Sequence, residues 1–232
     1  MRDVTPRALI LAAGRGERMR PLTDATPKPL LCAGGKSLIG WQLERLAAAG
    51  VRDVVINHAH LGEQLEAALG DGERWGVRIA WSREGTALET AGGIAKALAL
   101  LGEGPFLVVS ADIYTDFDYA RLLPVVEAIA ADPRAQAAHF VLVDNPPYHP
   151  GGDMGLAGGR IRRAAPLYTY ANIAVFHPHL FAGISPGTHL RLFPWAYEFV
   201  NAGRVTGEHF RGTWDNVGTP AQLAELDRRL SP

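Results

Sequence analysis

A glycine- and arginine-rich segment near the N-terminus carries the residues best suited to binding an anion. Residues 11–22 read Leu-Ala-Ala-Gly-Arg-Gly-Glu-Arg-Met-Arg-Pro-Leu. The glycines let backbone N–H groups approach a phosphate closely, and Arg15, Arg18 and Arg20 add positive charge. The segment lacks the third glycine of a dinucleotide fingerprint and the Gly-Lys-Ser/Thr of a Walker A loop. We therefore expect a phosphate loop of another type; the alternative is a tight turn with solvated arginines.

Lys28 is the second candidate for phosphate binding. It lies between Pro27 and Pro29, in a chain that contains 20 arginines and only three lysines. The two prolines restrict the backbone around it, and a lysine ammonium is a compact point charge that suits a phosphate. The alternative is a solvated lysine in a proline turn.

Asp112 is the candidate metal ligand. It follows the apolar segment 106–110, which is typical of a central strand covered on both faces. A carboxylate at the carboxyl end of such a strand can hold Mg²⁺ through oxygen. Asp112 could instead begin a turn, since Asp116 and Asp118 make the following loop acidic.

The elements that must position these residues alternate between short apolar strands and longer helical patterns, which predicts an α/β fold with a largely parallel sheet. Strands are predicted at 8–12, 53–57, 77–81, 106–110, 137–144, 168–176 and 205–213. Helices are predicted at 38–49, 61–69, 92–101 and 119–131, with one more between the last two strands. Residues 145–159 are rich in Pro and Gly, so we expect the second half to be strands and loops that cover one end of the sheet.

Composition limits the classes of function. The 232 residues are 47% hydrophobic and 20% charged, with a net charge of −1 and one cysteine, Cys32. This near-neutral balance gives no global field for nucleic acid or a membrane surface. A single cysteine excludes a disulfide framework and fits a reducing cytoplasm. We expect one domain over 1–232 that does not enter the membrane; the sequence does not indicate an oligomeric state.

The glycine-rich segment and the Pro-Lys-Pro segment together resemble the signature of the sugar-1-phosphate nucleotidyltransferases, also called nucleoside-diphosphate-sugar pyrophosphorylases. Residues 88–93 (Leu-Glu-Thr-Ala-Gly-Gly) are similar to the base-binding turn of that family, and 110–112 and 214–219 to its two metal motifs. The resemblance implies a Rossmann-like mixed sheet flanked by helices with a strand-and-loop sugar-binding half. No hexapeptide repeat follows Leu230.

The resemblance also implies roles for individual residues. Arg18 and Lys28 would be catalytic. The nucleotide would be bound by Leu11, Ala12, Ala13, Gly14, Gly16, Glu84, Gly92, Gly93 and Asp112. Arg83 is an alternative to Glu84 at the base edge. The sugar would be bound by Asn57, Gly155 and Asn172.

The second metal ligand is open between two residues. Many relatives have Asp directly before Val-Gly-Thr, where this chain has Asn216, with Asp215 one place earlier. Successive strand residues face opposite sides, so a regular strand cannot direct both at one metal. Position favours Asn216, whose amide oxygen is an acceptable Mg²⁺ ligand. Asp215 is the alternative, through a bulge or as an outer partner.

The implied reaction joins a nucleoside triphosphate and a sugar 1-phosphate and releases pyrophosphate. Residues 56–61, 88–90 and 207–212 are most similar to the group that uses UTP and N-acetylmuramate 1-phosphate in cell-wall recycling. The lactyl carboxylate of that sugar calls for a cation or an exposed amide beside it, and Arg191, Arg162 and Arg163 are the candidates. The alternatives are mannose 1-phosphate with GTP, glucose 1-phosphate with dTTP or UTP, and a non-catalytic nucleotide-sugar sensor.

Overall fold

The computed structural model describes residues 6–231, which contain thirteen strands and seven α-helices. The strands are β1 (Arg7–Leu11), β2 (Cys32–Ala33), β3 (Lys36–Ser37), β4 (Asp53–His58), β5 (Arg78–Arg83), β6 (Phe106–Ser110), β7 (Ile113–Thr115), β8 (Ala138–Val143), β9 (Met154–Ala157), β10 (Arg160–Arg162), β11 (Leu167–Phe176), β12 (Val205–Phe210) and β13 (Trp214–Asn216). The helices are α1 (Leu22–Ala25), α2 (Leu38–Ala48), α3 (Gly62–Leu69), α4 (Glu89–Leu101), α5 (Leu123–Ala131), α6 (Tyr197–Asn201) and α7 (Pro220–Leu230). None of these described helices is both long and apolar enough to cross a bilayer.

Nine strands form one mixed sheet in the order β5-β4-β1-β6-β11-β8-β12-β10-β9. The first four strands in this order are parallel to one another, and β11 is antiparallel to both of its neighbours β6 and β8. The chain moves from β1 to β4 on one side and later to β6 on the other. The carboxyl end of β1 is therefore a topological switch point, where open α/β sheets bind ligands.

Alternating apolar residues explain why the sheet is covered on both faces. On β1, Ile10 belongs to the core on one face, whereas Leu9 belongs to the core on the other. Helices α2, α3 and α5 cover the first face, and α4 covers the second. Because both faces of the central strands are buried, these strands are almost wholly apolar.

A third, smaller core attaches the glycine-rich segment to the end of the chain. Met19 is fully buried there, together with Leu38 and with Val217 and Leu226 from the C-terminal part. Burial of a methionine side chain contributes about 2 kcal/mol, so this contact fixes the segment that follows β1.

The mixed α/β fold predicted from the sequence is confirmed, with local differences. Helix α4 begins at Glu89, three residues before the expected start at 92. The expected helix 119–131 is a 3₁₀ turn over Tyr119–Leu122 followed by α5. The second half does not simply cover one end of the sheet, because β8, β11 and β12 continue the sheet sideways through backbone pairing. The helix expected between the last two predicted strands is α6, which begins at Tyr197.

Candidate active site

The carboxyl ends of three neighbouring strands meet at one cleft. Leu11 on β1 is in register with Asn57 on β4 and with Ser110 on β6. The cleft at this edge has a volume of about 670 Å³. The predicted site residues that line it are Leu11, Ala12, Ala13, Gly14, Gly16, Arg18, Lys28, Asn57 and Asp112. Parallel strand ends thus bring together segments that are far apart in the sequence.

The glycine-rich loop turns sharply at Gly16. This residue has φ +67°, a left-handed conformation that glycine adopts without strain, and it precedes a 3₁₀ turn over Glu17–Met19. The buried Thr23 donates its hydroxyl to the Gly16 carbonyl at 2.8 Å, and the Met19 amide donates to the same carbonyl at 2.8 Å. These hydrogen bonds fix the loop on the side away from the cleft, and its other side lines the cleft.

Asn57 connects the loop to a buried carboxylate. Its Oδ1 accepts the Ala12 amide at 2.8 Å, and its Nδ2 donates to Glu84 Oε1 at 2.6 Å. The second carboxylate oxygen of Glu84 accepts the Leu88 amide at 2.9 Å. Burial raises the pKa of Glu84, although these hydrogen bonds act in the opposite direction. Asn57, a predicted sugar contact, thus lines the cleft beside the glycine-rich loop. Glu84, a predicted nucleotide contact, lies behind the wall of the cleft.

The two glycines at the start of α4 allow close packing. A Cβ on Gly92 would lie 2.1 Å from the Thr188 carbonyl oxygen. A Cβ on Gly93 would lie within 2.7 Å of both the Glu84 carboxylate and the Asn57 amide. Both glycines are buried behind residues that line the cleft, so the structure assigns them contacts with protein atoms.

The charged groups of the cleft are arranged around Asp112. Lys28 Nζ forms an ion pair with the Asp112 carboxylate, and the lysine side chain is only 11% exposed. The Arg18 guanidinium packs beside Gly218, where an added Cβ would lie 3.0 Å from it. Arg20 instead pairs with Asp24 at 2.9 Å on the surface, and it does not line the cleft. The cleft therefore carries both a carboxylate for a cation and cations for phosphates.

The antiparallel ribbon of β7 and β13 brings the second metal motif beside Asp112. Asn216 is in register with Ile113, and the Val217 amide donates to the Asp112 carbonyl at 2.9 Å. Asn216 Oδ1 is buried without a hydrogen-bond partner among the described residues. Asp215 forms an ion pair with Arg229 of α7 at 2.5 Å. β13 is regular here, so the two side chains take opposite sides.

This donor set fits Mg²⁺. Within residues 6–231 no group of three or more His, Cys, Asp and Glu side chains could hold a metal ion. Mg²⁺ uses one or two protein oxygens and completes its coordination with water and substrate phosphates. The Asp112 carboxylate and the orphaned Asn216 amide oxygen meet that requirement. A buried amide oxygen without a partner is costly unless a ligand satisfies it.

A second pocket opens next to the cleft. It has a volume of about 250 Å³ and is lined by Asn216 and by aromatic rings from several elements, namely Tyr148, Tyr170, Phe193 and Trp214. A small hollow of about 90 Å³ lies between the two spaces, since it shares Leu11 with the cleft and Tyr170 with the pocket. The cleft and the second pocket are therefore neighbours at this edge of the sheet.

Asn172 lines the second pocket and the hollow. It has φ +57°, and the β11–β8 register shifts between Tyr170 and Ala174 around it. Asparagine is one of the few residues apart from glycine that adopt this conformation readily. The resulting bulge turns the strand at the pocket wall.

Comparisons with known proteins address the identity of the fold and family. A profile of the family described as Nucleotidyl transferase matches residues 7–149. N-acetylmuramate alpha-1-phosphate uridylyltransferase of Neisseria meningitidis serogroup B is 47% identical, over 94% of this chain and 96% of that protein. The chain belongs to the nucleotidyl transferase family. The family and the enzyme class expected from the motifs are therefore confirmed.

Further relatives agree with this family membership. The protein of the same name in Caulobacter vibrioides is 38% identical over 97% of this chain and 96% of that relative. A Bacillus anthracis structure, assigned as a glucose-1-phosphate thymidylyltransferase in complex with a sucrose, has a TM-score of 0.81 at 20% identity. It covers 97% of this chain and 94% of that one. At this identity the likeness concerns the fold.

Two predicted sugar contacts of this nucleotidyl transferase lie outside both spaces. Gly155 is buried on β9, where a Cβ would lie 2.0 Å from the Ala164 carbonyl oxygen, so it permits close strand packing. The Arg191 side chain is 75% exposed and lies 3.8 Å from Glu89 Oε1. The structure does not bring either residue to the second pocket.

Glu89 and Thr90, which belong to the predicted base-binding turn, line the cleft. Tyr148, His149 and Asp153, which line the second pocket, were not predicted. The one available signal was Tyr148 and His149 within the Pro/Gly-rich segment 145–159, because aromatic residues in such a loop suggest contact with a ligand. Their convergence with Trp214 depends on tertiary structure and carries no local pattern.

Proposed function

We propose that this nucleotidyl transferase joins UTP and N-acetylmuramate 1-phosphate to form UDP-N-acetylmuramate with release of pyrophosphate. The observation that carries the proposal is the 47% identity, along almost the whole of both chains, to the uridylyltransferase of that name. The neighbouring cleft and second pocket support it, because the reaction needs two ligands that meet at their phosphates.

The chemistry is an in-line substitution at the α-phosphate of the nucleotide. The oxygen of the sugar phosphate is already anionic, so no general base is required. The enzyme must align two polyanions and neutralise their charge. We assign Arg18 and the amides of the glycine-rich loop to the leaving pyrophosphate. Lys28 is assigned to the attacking phosphate and the α-phosphate.

Asp112 and Asn216 would hold Mg²⁺, which neutralises phosphate charge and stabilises the leaving group when bound. Lys28 also pairs with Asp112 in the structure, so the ammonium already lies beside the proposed metal ligand. In the proposed complex Lys28 and Asp112 would both lie beside the reacting phosphorus.

The second pocket is assigned to the sugar. It adjoins Asn216, and its aromatic rings offer apolar faces to a pyranose ring. The base is assigned to the part of the cleft lined by Ala87, Glu89 and Thr90. We further propose that the protein acts in peptidoglycan recycling, as the proposed N-acetylmuramate substrate implies. The single cysteine, Cys32, is free and exposed, which supports a location in the reducing cytoplasm.

The experiment that tests this function is a matrix of four nucleoside triphosphates against several sugar 1-phosphates. Pyrophosphate release is measured with purified protein and Mg²⁺, and kcat/KM is compared between pairs. The proposal predicts the highest value for UTP with N-acetylmuramate 1-phosphate. A preference for GTP with mannose 1-phosphate would assign a different substrate pair. Nucleotide binding without pyrophosphate release from any pair would indicate a sensor.

A further inference from the structure

The second pocket contains one side chain that can carry positive charge. Among the described residues that line it, His149 is the only member of the His, Lys and Arg set. The remaining polar lining residues offer neutral groups or a carboxylate, that of Asp153. Among the side chains that line this pocket, only His149 can therefore offer positive charge to a negatively charged substituent.

The loop that carries His149 is held in place by hydrogen bonds. The His149 amide donates to the Pro146 carbonyl at 2.8 Å, which closes a turn. The Asn145 side chain donates to the Leu167 carbonyl at 3.0 Å and accepts the Thr169 hydroxyl at 2.9 Å. The loop is thus tied to β11, and the position of His149 is defined before any ligand binds.

Asp153 orients the imidazole ring. His149 Nε2 lies 3.0 Å from Asp153 Oδ1, and Asp153 Oδ2 accepts the Tyr170 amide at 2.8 Å. Both carboxylate oxygens are engaged, so the aspartate is fixed to the wall of the pocket. The carboxylate accepts the hydrogen bond from Nε2, so Nδ1 is the ring nitrogen that does not contact Asp153.

The arginines considered from the sequence do not occupy this position. Arg191 is directed towards Glu89, and the Arg163 guanidinium lies over the Tyr197 ring, 4.4 Å from its centroid. Arg162 is exposed on β10. None of the three lines the second pocket. The charge that the pocket offers to a sugar substituent comes from the loop 145–153.

We propose that His149 is the specificity residue for the lactyl carboxylate of N-acetylmuramate 1-phosphate, an inference that rests on the proposed function. In the proposed complex the imidazole lies between two carboxylates, with Nε2 donating to Asp153 and Nδ1 donating to the substrate. N-acetylglucosamine 1-phosphate lacks the lactyl group and gains nothing from this contact. Selection thus depends on one charged hydrogen bond in a pocket that otherwise contacts the pyranose through aromatic rings.

The test compares three substrates and three variants. The substrates are N-acetylmuramate 1-phosphate, its lactyl methyl ester, which has no charge on the lactyl group, and N-acetylglucosamine 1-phosphate. The variants are His149→Gln, His149→Lys and the control His179→Gln, which removes a histidine that contacts His177 and Arg204 away from both spaces. Thermal unfolding is measured for each variant, and kcat and KM are determined separately with UTP at a fixed pH.

The proposal predicts that His149→Gln lowers kcat/KM for the free acid by about tenfold or more, the effect of losing a charged hydrogen bond. The ester and N-acetylglucosamine 1-phosphate should change less than about threefold. For the free acid, kcat/KM of His149→Lys should be higher than that of His149→Gln. The control His179→Gln should have the kcat/KM of the wild type.

Two results overturn the inference, and they are distinct from failure of the proposed function. If His149→Gln lowers kcat/KM equally for all three substrates, the role of His149 is purely structural. If the wild type prefers the acid over the ester and His149→Gln keeps that preference, another residue recognises the lactyl group. If the wild type uses a different sugar 1-phosphate and not N-acetylmuramate 1-phosphate, the proposed function fails and the inference fails with it.

Discussion

Asp215 and Asn216 are consecutive on β13, and their side chains project from opposite sides of the strand. The Asp215 carboxylate contacts Arg229 of α7 at 2.5 Å, whereas the Asn216 amide oxygen is buried at the second pocket with no partner among the described residues. Strand alternation alone produces this division. Asp215 contacts the last helix, whereas Asn216 keeps an amide oxygen that we propose as a ligand of Mg²⁺.

The Mg²⁺ dependence should therefore respond to Asn216 and not to Asp215. We expect Asn216→Ala to raise the Mg²⁺ concentration for half-maximal rate by about tenfold, because it removes one of two protein ligands. Asp215→Ala removes a partly exposed ion pair, so it should cost about 1 kcal/mol of stability at most and leave the Mg²⁺ titration unchanged. Rate against Mg²⁺ concentration and thermal unfolding measure the two effects. The reverse order would transfer the ligand role to Asp215.

The contact between Asn57 and Glu84 predicts a reciprocal exchange. Asn57→Asp places two carboxylates together in the interior, and we expect it to cost about 3 kcal/mol and to lower activity. Glu84→Gln alone directs an amide N–H at either the Asn57 amide or the Leu88 amide, so it should also destabilise. The double variant Asn57→Asp/Glu84→Gln can remake every hydrogen bond, because the introduced glutamine amide donates to the introduced aspartate carboxylate.

The double variant should therefore recover most of the stability lost by the two single changes together. Urea unfolding of the four proteins forms a double-mutant cycle with a coupling energy of about 2 kcal/mol or more. Additive losses would mean that the hydrogen bonds to the Ala12 and Leu88 amides do not depend on this pair.

Two glycines should separate a binding role from a packing role. A Cβ on Gly14 has no atom within 4 Å, so Gly14→Ala should fold normally and raise KM for UTP where the methyl group narrows the cleft. A Cβ on Gly92 would lie 2.1 Å from the Thr188 carbonyl oxygen. Gly92→Ala should therefore cost about 3 kcal/mol through overpacking. Thermal unfolding and KM together check this prediction, which fails if Gly92→Ala melts like the wild type.

The fold was predictable where one segment carries its own pattern. The buried strands β1, β4 and β6 are short apolar segments between turn residues, and their bounds agree with expectation to within a residue. The position of the Gly-x-Gly loop and of Asp112 at the cleft was predictable because each follows such a strand. The sideways continuation of the sheet by β8, β11 and β12 was not, because strand neighbours that are distant in sequence are chosen by tertiary pairing.

The second pocket was the least predictable part of the site. Its lining comes from the loop 145–153, β11, the segment around Phe193 and β13, and no local spacing connects these. Arg191 was a reasonable candidate by charge alone, but its segment 189–192 lies outside any helix and is directed to Glu89. Gly92, Gly93 and Gly155 were predicted as ligand contacts. A glycine serves close backbone packing equally well, and the sequence alone does not distinguish the two roles.

Lys28 should not be replaceable by arginine. Its stem passes 3.2 Å from the position of a Cβ on Gly16, and its ammonium contacts Asp112. A planar guanidinium does not fit this confined path, so Lys28→Arg should lower kcat/KM by about tenfold or more with little change in unfolding temperature. Lys36→Arg is the matched control, since Lys36 pairs with Glu44 and lies over the Trp41 ring outside the cleft. Equal activity of both variants would contradict the assigned role of Lys28.

The most direct test of the central claim is the stoichiometry of products from UTP and N-acetylmuramate 1-phosphate with Mg²⁺. The wild type should form one pyrophosphate for each UDP-N-acetylmuramate, quantified by mass spectrometry and a coupled pyrophosphate assay. Asp112→Asn removes the one proposed charged metal ligand. It should fold normally, and its rate of forming both products should fall by about a hundredfold or more. Release of UMP or inorganic phosphate without the nucleotide sugar, or a wild-type-like rate for folded Asp112→Asn, would contradict the account.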